Sequence, residues 1–311
     1  MPSTFALSVI VPATDSPESL PRCVSAIEAA LSGDDELTVV ESAPLPTPAS
    51  ARNEGAKGAA GDILVFVDAD VEVHADALRL IRARFAGDPD LVAVFGGYDD
   101  DPAERDVVST FRNLLHHHVH QEGAGPIDSF WSGLGAVRRS SFEAIGGFDD
   151  GMRSVEDIEL GARLSAAEGR IELDPAIQGK HLKRWTVPTM VHTDLILRGI
   201  PWTQMALRRE ATRGALNLGW RHRVSAAASA LMLRELLRRR AAPAMAALLA
   251  LCVINRRFYR LLAARGPRYL VAGIALHVIH HLTSGLAVLA GALLKPGALP
   301  RIARGGRVGE S

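Results

Sequence analysis

A chain of 311 residues has room for one large domain or two smaller ones, and 48% hydrophobic with 23% charged residues excludes a disordered polypeptide. Its 35 basic and 35 acidic residues cancel, but they are segregated: residues 1–179 carry 31 acidic against 13 basic, residues 180–311 only 4 against 22. The acidic part suits metal and polar chemistry, the basic part phosphates or an anionic membrane face, and its scarcity of stacking aromatics argues against a nucleic-acid partner.

The first hundred residues alternate β-rich runs with helical patterns, the signature of parallel βαβ units. Strands are expected at Leu7–Val11, Leu37–Val40, Ile63–Val67 and Leu91–Phe95, with helices near Pro17–Leu31, Ala49–Ala59 and Ala75–Phe85. Phe5–Val11 is too short, and too poor in preceding basic residues, for a secretory signal, so it reads as a buried first strand and the chain as cytoplasmic-facing. Beyond Tyr98 a helix is expected over Glu104–Gln121, carrying His116, His117, His118 and His120. Gly123, Gly125, Gly133, Gly135, Gly146 and Gly147 read as turns. Ser154 reads as the cap of a helix reaching about Glu168, with Asp157 completing a capping-box variant. Cys23 and Cys252 are too few for a disulfide framework and read as buried thiols.

From Val187 onward the pattern is helical and basic. Leu231–Arg240 mixes leucines with arginines as a helix on an anionic interface does. Residues 269–294 contain no Lys, Arg, Asp or Glu and are long enough to span a bilayer, although His277, His280 and His281 interrupt them; five arginines crowd the upstream flank. The expected organisation is a catalytic domain at 1–187 and a helical C-terminal region at 188–311, with 269–294 the candidate membrane helix. The i,i+4 pairs His116/His120 and His277/His281 could suit a metal, but the first reads better as a partly exposed helix and the second as a packed one.

The sharpest chemical signal is Asp68-Ala69-Asp70 directly after a strand buried on both faces. Carboxylates there face the crevice where open α/β sheets bind ligands, and two hard oxygen donors can hold Mg²⁺ or Mn²⁺ against a diphosphate. Ala51-Arg52-Asn53-Glu54-Gly55 precedes it with a guanidinium suited to phosphate. Gly146-Gly147-Phe148-Asp149 and Glu156-Asp157 follow it; a carboxylate at Asp157 is suited to deprotonate an acceptor hydroxyl.

Together with Val9-Ile10-Val11-Pro12, these segments stand in the order and approximate spacing of family 2 glycosyltransferases, which the chain resembles over residues 5–190. The resemblance implies a GT-A fold, with a mostly parallel nucleotide-binding sheet flanked by helices. It also implies inverting transfer of a sugar from a nucleotide-sugar donor, UDP-linked in preference to GDP-linked, with a divalent metal. Carried onto this sequence, Pro12, Ala13, Thr14 and Glu41 would line the base and ribose pocket. Arg52 would sit near the nucleotide, Asp68 would touch ribose or metal, and Asp70 would hold the metal. Asp157 would be the base, with Glu156 supporting it. His181-Leu182-Lys183-Arg184-Trp185 resembles the Gln-x-x-Arg-Trp of processive synthases with His in place of Gln. That implies His181 on metal or diphosphate, Arg184 on phosphate and Trp185 on acceptor or sugar. Apart from the resemblance, Gly133 and Gly135, after Trp131, would shape an acceptor wall or simply mark a tight turn. Two departures stand out: Glu41-Ser42 replaces the usual Asp-rich end of strand two, and Asp15 stands where Asn is common. The basic, apolar tail suggests a lipid-linked or membrane-proximal acceptor at the cytoplasmic face of the cell membrane. The rivals are a sugar-nucleotide nucleotidyltransferase, which would carry a Gly-rich phosphate loop that Val11–Leu20 lacks, and a non-catalytic nucleotide-sugar-binding protein.

Overall fold

The structure, a computed structural model, describes residues 5–15, 17–208 and 219–294. The described residues divide by their contacts into two compact units: those within 5–96 and 125–179 in the first, those within 97–124 and 180–294 in the second. The helix over 107–122 thus groups with the C-terminal helices, across the linear boundary at 187 expected from the sequence.

The first unit is built on a sheet whose strands in chain order are β1 (Leu7–Pro12), β2 (Glu36–Val40), β3 (Ile63–Val67), β4 (Val71–Val73), β5 (Leu91–Tyr98), β6 (Gly125–Ile127), β7 (Leu134–Arg138) and β8 (Arg170–His181). The spatial order is β2-β1-β3-β7-β5-β8-β4, with β6 paired to β8. β1 lies parallel between β2 and β3, in register Pro12 to Val40 and Ile10 to Phe66. β7 runs antiparallel to both β3 and β5, so β2, β1, β3 and β5 share one direction. The run ILVFV of β3 is completely buried, as a strand covered on both faces must be.

Helices α1 (Leu20–Ala30), α2 (Pro48–Lys57), α3 (Ala77–Gly87), α5 (Arg139–Ala144) and α6 (Glu156–Ala166) belong to this unit; α4 (Val107–Glu122) belongs to the second. α2 starts where Thr47 caps it, its side chain accepting from the Ser50 N–H at 3.1 Å, with Pro48 in the first turn. A Cβ on Gly55 would stand 2.5 Å from Ile10 Cγ2, so glycine there lets α2 lie close on β1.

Two expectations are corrected. The glycine-rich stretch read as turns contains β6 and β7, because Leu134–Arg138 is too short and too glycine-interrupted to show a strand period. The helix expected from Ser154 starts at Glu156, and its cap is Val155 at φ 57°, with no side-chain cap. A β-branched residue in the left-handed region costs energy that only a firmly held surrounding sustains.

The second unit contains α4, α7 (Val187–His192), a π-helical stretch Thr193–Gly199, α8 (Ile200–Leu207), α9 (Trp220–Leu237), α10 (Ala241–Ile254), α11 (Arg256–Ala264) and α12 (Pro267–Leu293). Its core joins Phe111 and Leu114 of α4 to Trp185, Met190, Phe258, Tyr259, Leu262 and Leu276. On α4, His116, His117 and His118 are half-buried, in keeping with a partly exposed helix, while His120 is buried and stacks on His116 at 3.8 Å, and the His116 ring lies tilted against Tyr98 at 4.1 Å. α10 and α11 meet at an 81° bend, where Asn255 donates to Ser225 Oγ (2.8 Å) and to the Leu251 carbonyl (2.9 Å). α12 is long and apolar enough to cross a membrane by length and composition.

α9 is arranged inside out. Ser225, Ser229 and Glu235 are buried, while Leu231, Leu233, Leu236 and Leu237 are exposed, the last by 77%. A helix facing water shows the reverse arrangement. Met245, Leu249 and Val253 of α10 and Leu286, Val288, Leu289 and Leu293 of α12 are exposed as well.

Candidate active site

The parallel strands β2, β1 and β3 end at one edge of the sheet, which gathers the segments expected to bind a nucleotide. Pro12 closes β1; Ala13 is buried and donates its N–H to the Val40 carbonyl at 2.9 Å, while Thr14 and Glu41 beyond are exposed. At the end of β3, Asp68 donates its N–H to the Gly133 carbonyl (3.1 Å) and accepts from the Val71 N–H (2.9 Å), which turns the chain across Asp68–Val71. Behind the turn, Ser19 Oγ donates to the Ala69 carbonyl at 2.8 Å. Burial, with the nearby Asp68 and Asp70 charges, pushes the Cys23 thiol up to about 12, so it stays an inert thiol.

Two adjacent residues of α2 tie this turn to the chain a hundred residues later. Arg52 is 3% exposed; its Nη2 donates to Asp68 Oδ1 at 2.6 Å and its Nη1 to Glu156 Oε1 at 2.7 Å. One guanidinium thereby bridges the end of β3 and the first residue of α6. Burial opposes the charge on Arg52, but the Asp68, Glu156 and Asp157 carboxylates outweigh it and raise its pKa. Asn53 grips the next segment by both ends of its amide: Oδ1 accepts from the Phe148 N–H at 2.9 Å, and Nδ2 donates to the Phe148 carbonyl (2.9 Å) and to Asp150 Oδ1 (2.6 Å).

The loop so held is further locked from beneath. Phe148 packs edge-on to Phe66 of β3 at 5.1 Å and against Phe142 at 5.6 Å, with the Arg52 guanidinium 5.5 Å from its ring. Arg163 of α6 donates to the Ile145 (2.8 Å) and Gly147 (2.7 Å) carbonyls. Gly147 has φ 71°, and a Cβ there would stand 2.7 Å from Asn53 Oδ1. Asp157 follows Glu156 in the first turn of α6, half-buried, its Oδ1 accepting from the Ile158 N–H at 2.8 Å.

Asp68 and Asp70 offer carboxylate oxygens on one short turn. Burial raises the Asp68 pKa; the Arg52 charge pulls it down and the Asp70 charge pushes it up, and the net shift is upward. A divalent cation would relieve that repulsion, and an oxygen-only donor pair fits Mg²⁺ or Mn²⁺. Trp131, which sequence reasoning passed over, lies beside this turn: its indole packs on Gly133, whose carbonyl holds the Asp68 N–H. The signal for it was an aromatic two residues before a glycine next to a strand end.

The remaining expected residues lie in the second unit. His181 is buried and stacks on Tyr98 at 4.1 Å and 13°. Arg184 is exposed. Trp185 is buried, with the Arg112 guanidinium and the Lys183 ammonium each 4.9 Å from its ring, and its backbone N–H donates to Ser109 Oγ at 2.8 Å. A groove beside it is lined by Lys183, Trp185, Pro188, Thr189, His192 and Thr193.

The sheet order and flanking helices define a mixed α/β fold of the GT-A type, with a carboxylate pair at the end of β3 and an anchored acidic start to α6. A solved structure of a mannosyltransferase from Pyrobaculum calidifontis in complex with GDP-Man and Mn²⁺ is similar to it, with TM-score 0.54 and 16% identity over 93% of this chain and 88% of that one. A GalNAc-T7 structure with UDP, GalNAc and Mn²⁺ aligns with TM-score 0.44 and 15% identity over 69% of this chain and 53% of that one. A mycobacterial protein aligns with TM-score 0.46 and 15% identity over 67% and 76%. Residues 44–146, about a third of the chain, match the model of glycosyl transferase family 2, the family that the ordered motifs resemble. No curated protein matches the sequence. Fold and family match together support a glycosyltransferase.

Proposed function

We propose that the protein is an inverting glycosyltransferase that moves a sugar from a nucleotide-sugar donor to an acceptor hydroxyl or phosphate at the cytoplasmic face of a membrane. The observation that carries this reading is the Arg52 bridge, which holds the Asp68–Asp70 turn and the Glu156-Asp157 pair on a single guanidinium. A metal-binding turn and a base are the two elements a single displacement needs, one for the leaving diphosphate and one for the attacking oxygen.

Asp70, with Asp68, would hold Mg²⁺ or Mn²⁺, whose chemistry there is to neutralise diphosphate charge. The Mn²⁺ in the similar Pyrobaculum mannosyltransferase structure agrees with that choice. The chain's own residues do the rest. Pro12, Ala13, Thr14 and Glu41 line the base and ribose end. Asp157 takes the acceptor proton as that oxygen attacks the anomeric carbon from the face opposite the departing diphosphate, so the centre inverts. Glu156 stays with Arg52 as a positioning residue. The resemblance alone assigns His181 and Arg184 to the diphosphate and Trp185 to the acceptor, where Gly133 would shape a wall.

The inside-out α9 and the exposed apolar residues of α10 and α12 support membrane association and a lipid-linked acceptor. Arg238, Arg239 and Arg240 at the end of α9 would meet anionic headgroups. The test is a panel of UDP and GDP sugars scored by thermal stabilisation with and without Mn²⁺ or Mg²⁺. GDP-mannose belongs in it because the Pyrobaculum mannosyltransferase carries that donor. A bound donor at a hundred times its Kd adds about 2.7 kcal/mol. One donor stabilising only with metal is expected; stabilisation by none, or equally without metal, refutes the reading.

A further inference from the structure

The helical unit gathers imidazoles that sugar transfer leaves unused. His222 of α9 and His280 and His281 of α12 bring metal-capable nitrogens within 4.8 Å of one another. The His222 ring stands 4.8 Å from His281 and 5.6 Å from His280, centroid to centroid. His281 is 2% exposed, and neither of its ring nitrogens has a hydrogen-bond partner among the described residues. Such a group carries the desolvation cost of a buried polar atom with nothing to offset it.

His280 is oriented by a different device. Its Nδ1 lies 2.7 Å from Asp194 Oδ2, and Asp194, 7% exposed, is fixed in turn by Arg112 at 3.0 Å. A carboxylate on Nδ1 leaves Nε2 as the coordinating atom, the arrangement found behind metal-bound histidines. The neighbouring His277 is committed elsewhere, to the Tyr259 hydroxyl at 2.9 Å.

We propose that His222, His280 and His281 form a binding site for a borderline divalent transition ion such as Zn²⁺, with Asp194 orienting His280. Three imidazoles suit such an ion and leave a fourth position for water, whereas Mg²⁺ and Mn²⁺ prefer oxygen. Nitrogens around a tetrahedral Zn²⁺, each bound at about 2.0–2.1 Å, stand ~3.3 Å apart, so the rings close inward on the ion. The ion would clasp the start of α9 to the middle of α12. The site is independent of the donor metal at Asp68–Asp70.

The test uses the full chain, stripped with chelator, redialysed and titrated with Zn²⁺ against a chromophoric chelator, with Co²⁺ absorption reporting coordination geometry. One equivalent of Zn²⁺ and a four-coordinate Co²⁺ spectrum are expected in the intact chain and equally in Asp70→Ala. His222→Asn and His280→Gln should each weaken binding at least a hundredfold, and Asp194→Asn about 10–100-fold. Folding of each variant is verified by circular dichroism, and two independent histidine variants guard against one that fails to fold. Absence of Zn²⁺ binding in the folded intact chain, or binding that survives either histidine substitution in a folded variant, overturns the proposal.

Discussion

Replacing Arg52 by alanine tests the strut on which the site is assembled. The side chain is 4% exposed and serves two carboxylates, of which Glu156 is 9% and Asp68 33% exposed. Removing one partner of a buried ion pair typically costs about 3–5 kcal/mol, because the other charge stays buried and unpaired. Here Glu156 accounts for most of that cost; Asp68, a third exposed, is screened by solvent and adds little. The expectation is a loss of about 3–5 kcal/mol in urea unfolding followed by far-ultraviolet circular dichroism. Arg52→Met combined with Glu156→Gln removes both buried charges and should recover more than half of it. Arg52→Lys should recover little, since an ammonium lacks the fork that reaches both carboxylates at once. A loss below about 1 kcal/mol for Arg52→Ala, or no recovery in the double variant, would refute the reasoning that this guanidinium holds the two segments together.

Other perturbations follow from the same geometry. Gly147→Ala, at φ 71° and with its Cβ against Asn53 Oδ1, should cost about 1–3 kcal/mol in the same unfolding assay. Asp35 accepts from Arg82 Nη2 at 2.5 and 2.6 Å and from the Leu7 and Ser32 N–H groups; burial opposes its charge, but these bonds prevail and hold its carboxyl below the usual range. Its stabilisation is therefore present above the unfolded value of about 3.9 and lost as pH falls through the lower folded value, so Asp35→Asn should flatten the acid limb of stability against pH. Leu236→Glu with Leu237→Glu should lower binding to anionic liposomes at least tenfold, since a buried leucine is worth roughly 1.5–3 kcal/mol.

Where the sequence pattern is strong it reads well. β1 and β3 are continuous buried runs, and their ends carry the residues expected at the nucleotide edge. β7 and β8 escaped because a glycine-interrupted five-residue strand has no resolvable period, and because Arg170–His181 has polar residues and a proline within it. The cap of α6 escaped for a different reason. Ser154 offers the right chemistry one residue too early, and the left-handed Val155 is imposed by tertiary packing rather than local propensity. The ordered motifs were legible as a set, but not why they travel together. That reason is spatial: Arg52 and Asn53, neighbours on one turn of α2, bond respectively to Asp68 with Glu156, and to Phe148 with Asp150. Grouping α4 with helices beyond residue 180 was likewise invisible, since Phe111 and Leu114 find their partners more than 70 residues away.

The most direct measurement is sugar transfer by Asp157→Asn, alongside metal-dependent donor binding by the same variant. An amide of nearly the same shape cannot take the acceptor proton, so transfer should fall by roughly 10²–10⁴ while donor affinity stays within a few fold. Transfer at the parental rate, or transfer and donor binding lost together in a folded protein, would contradict the assignment of Asp157 as the base.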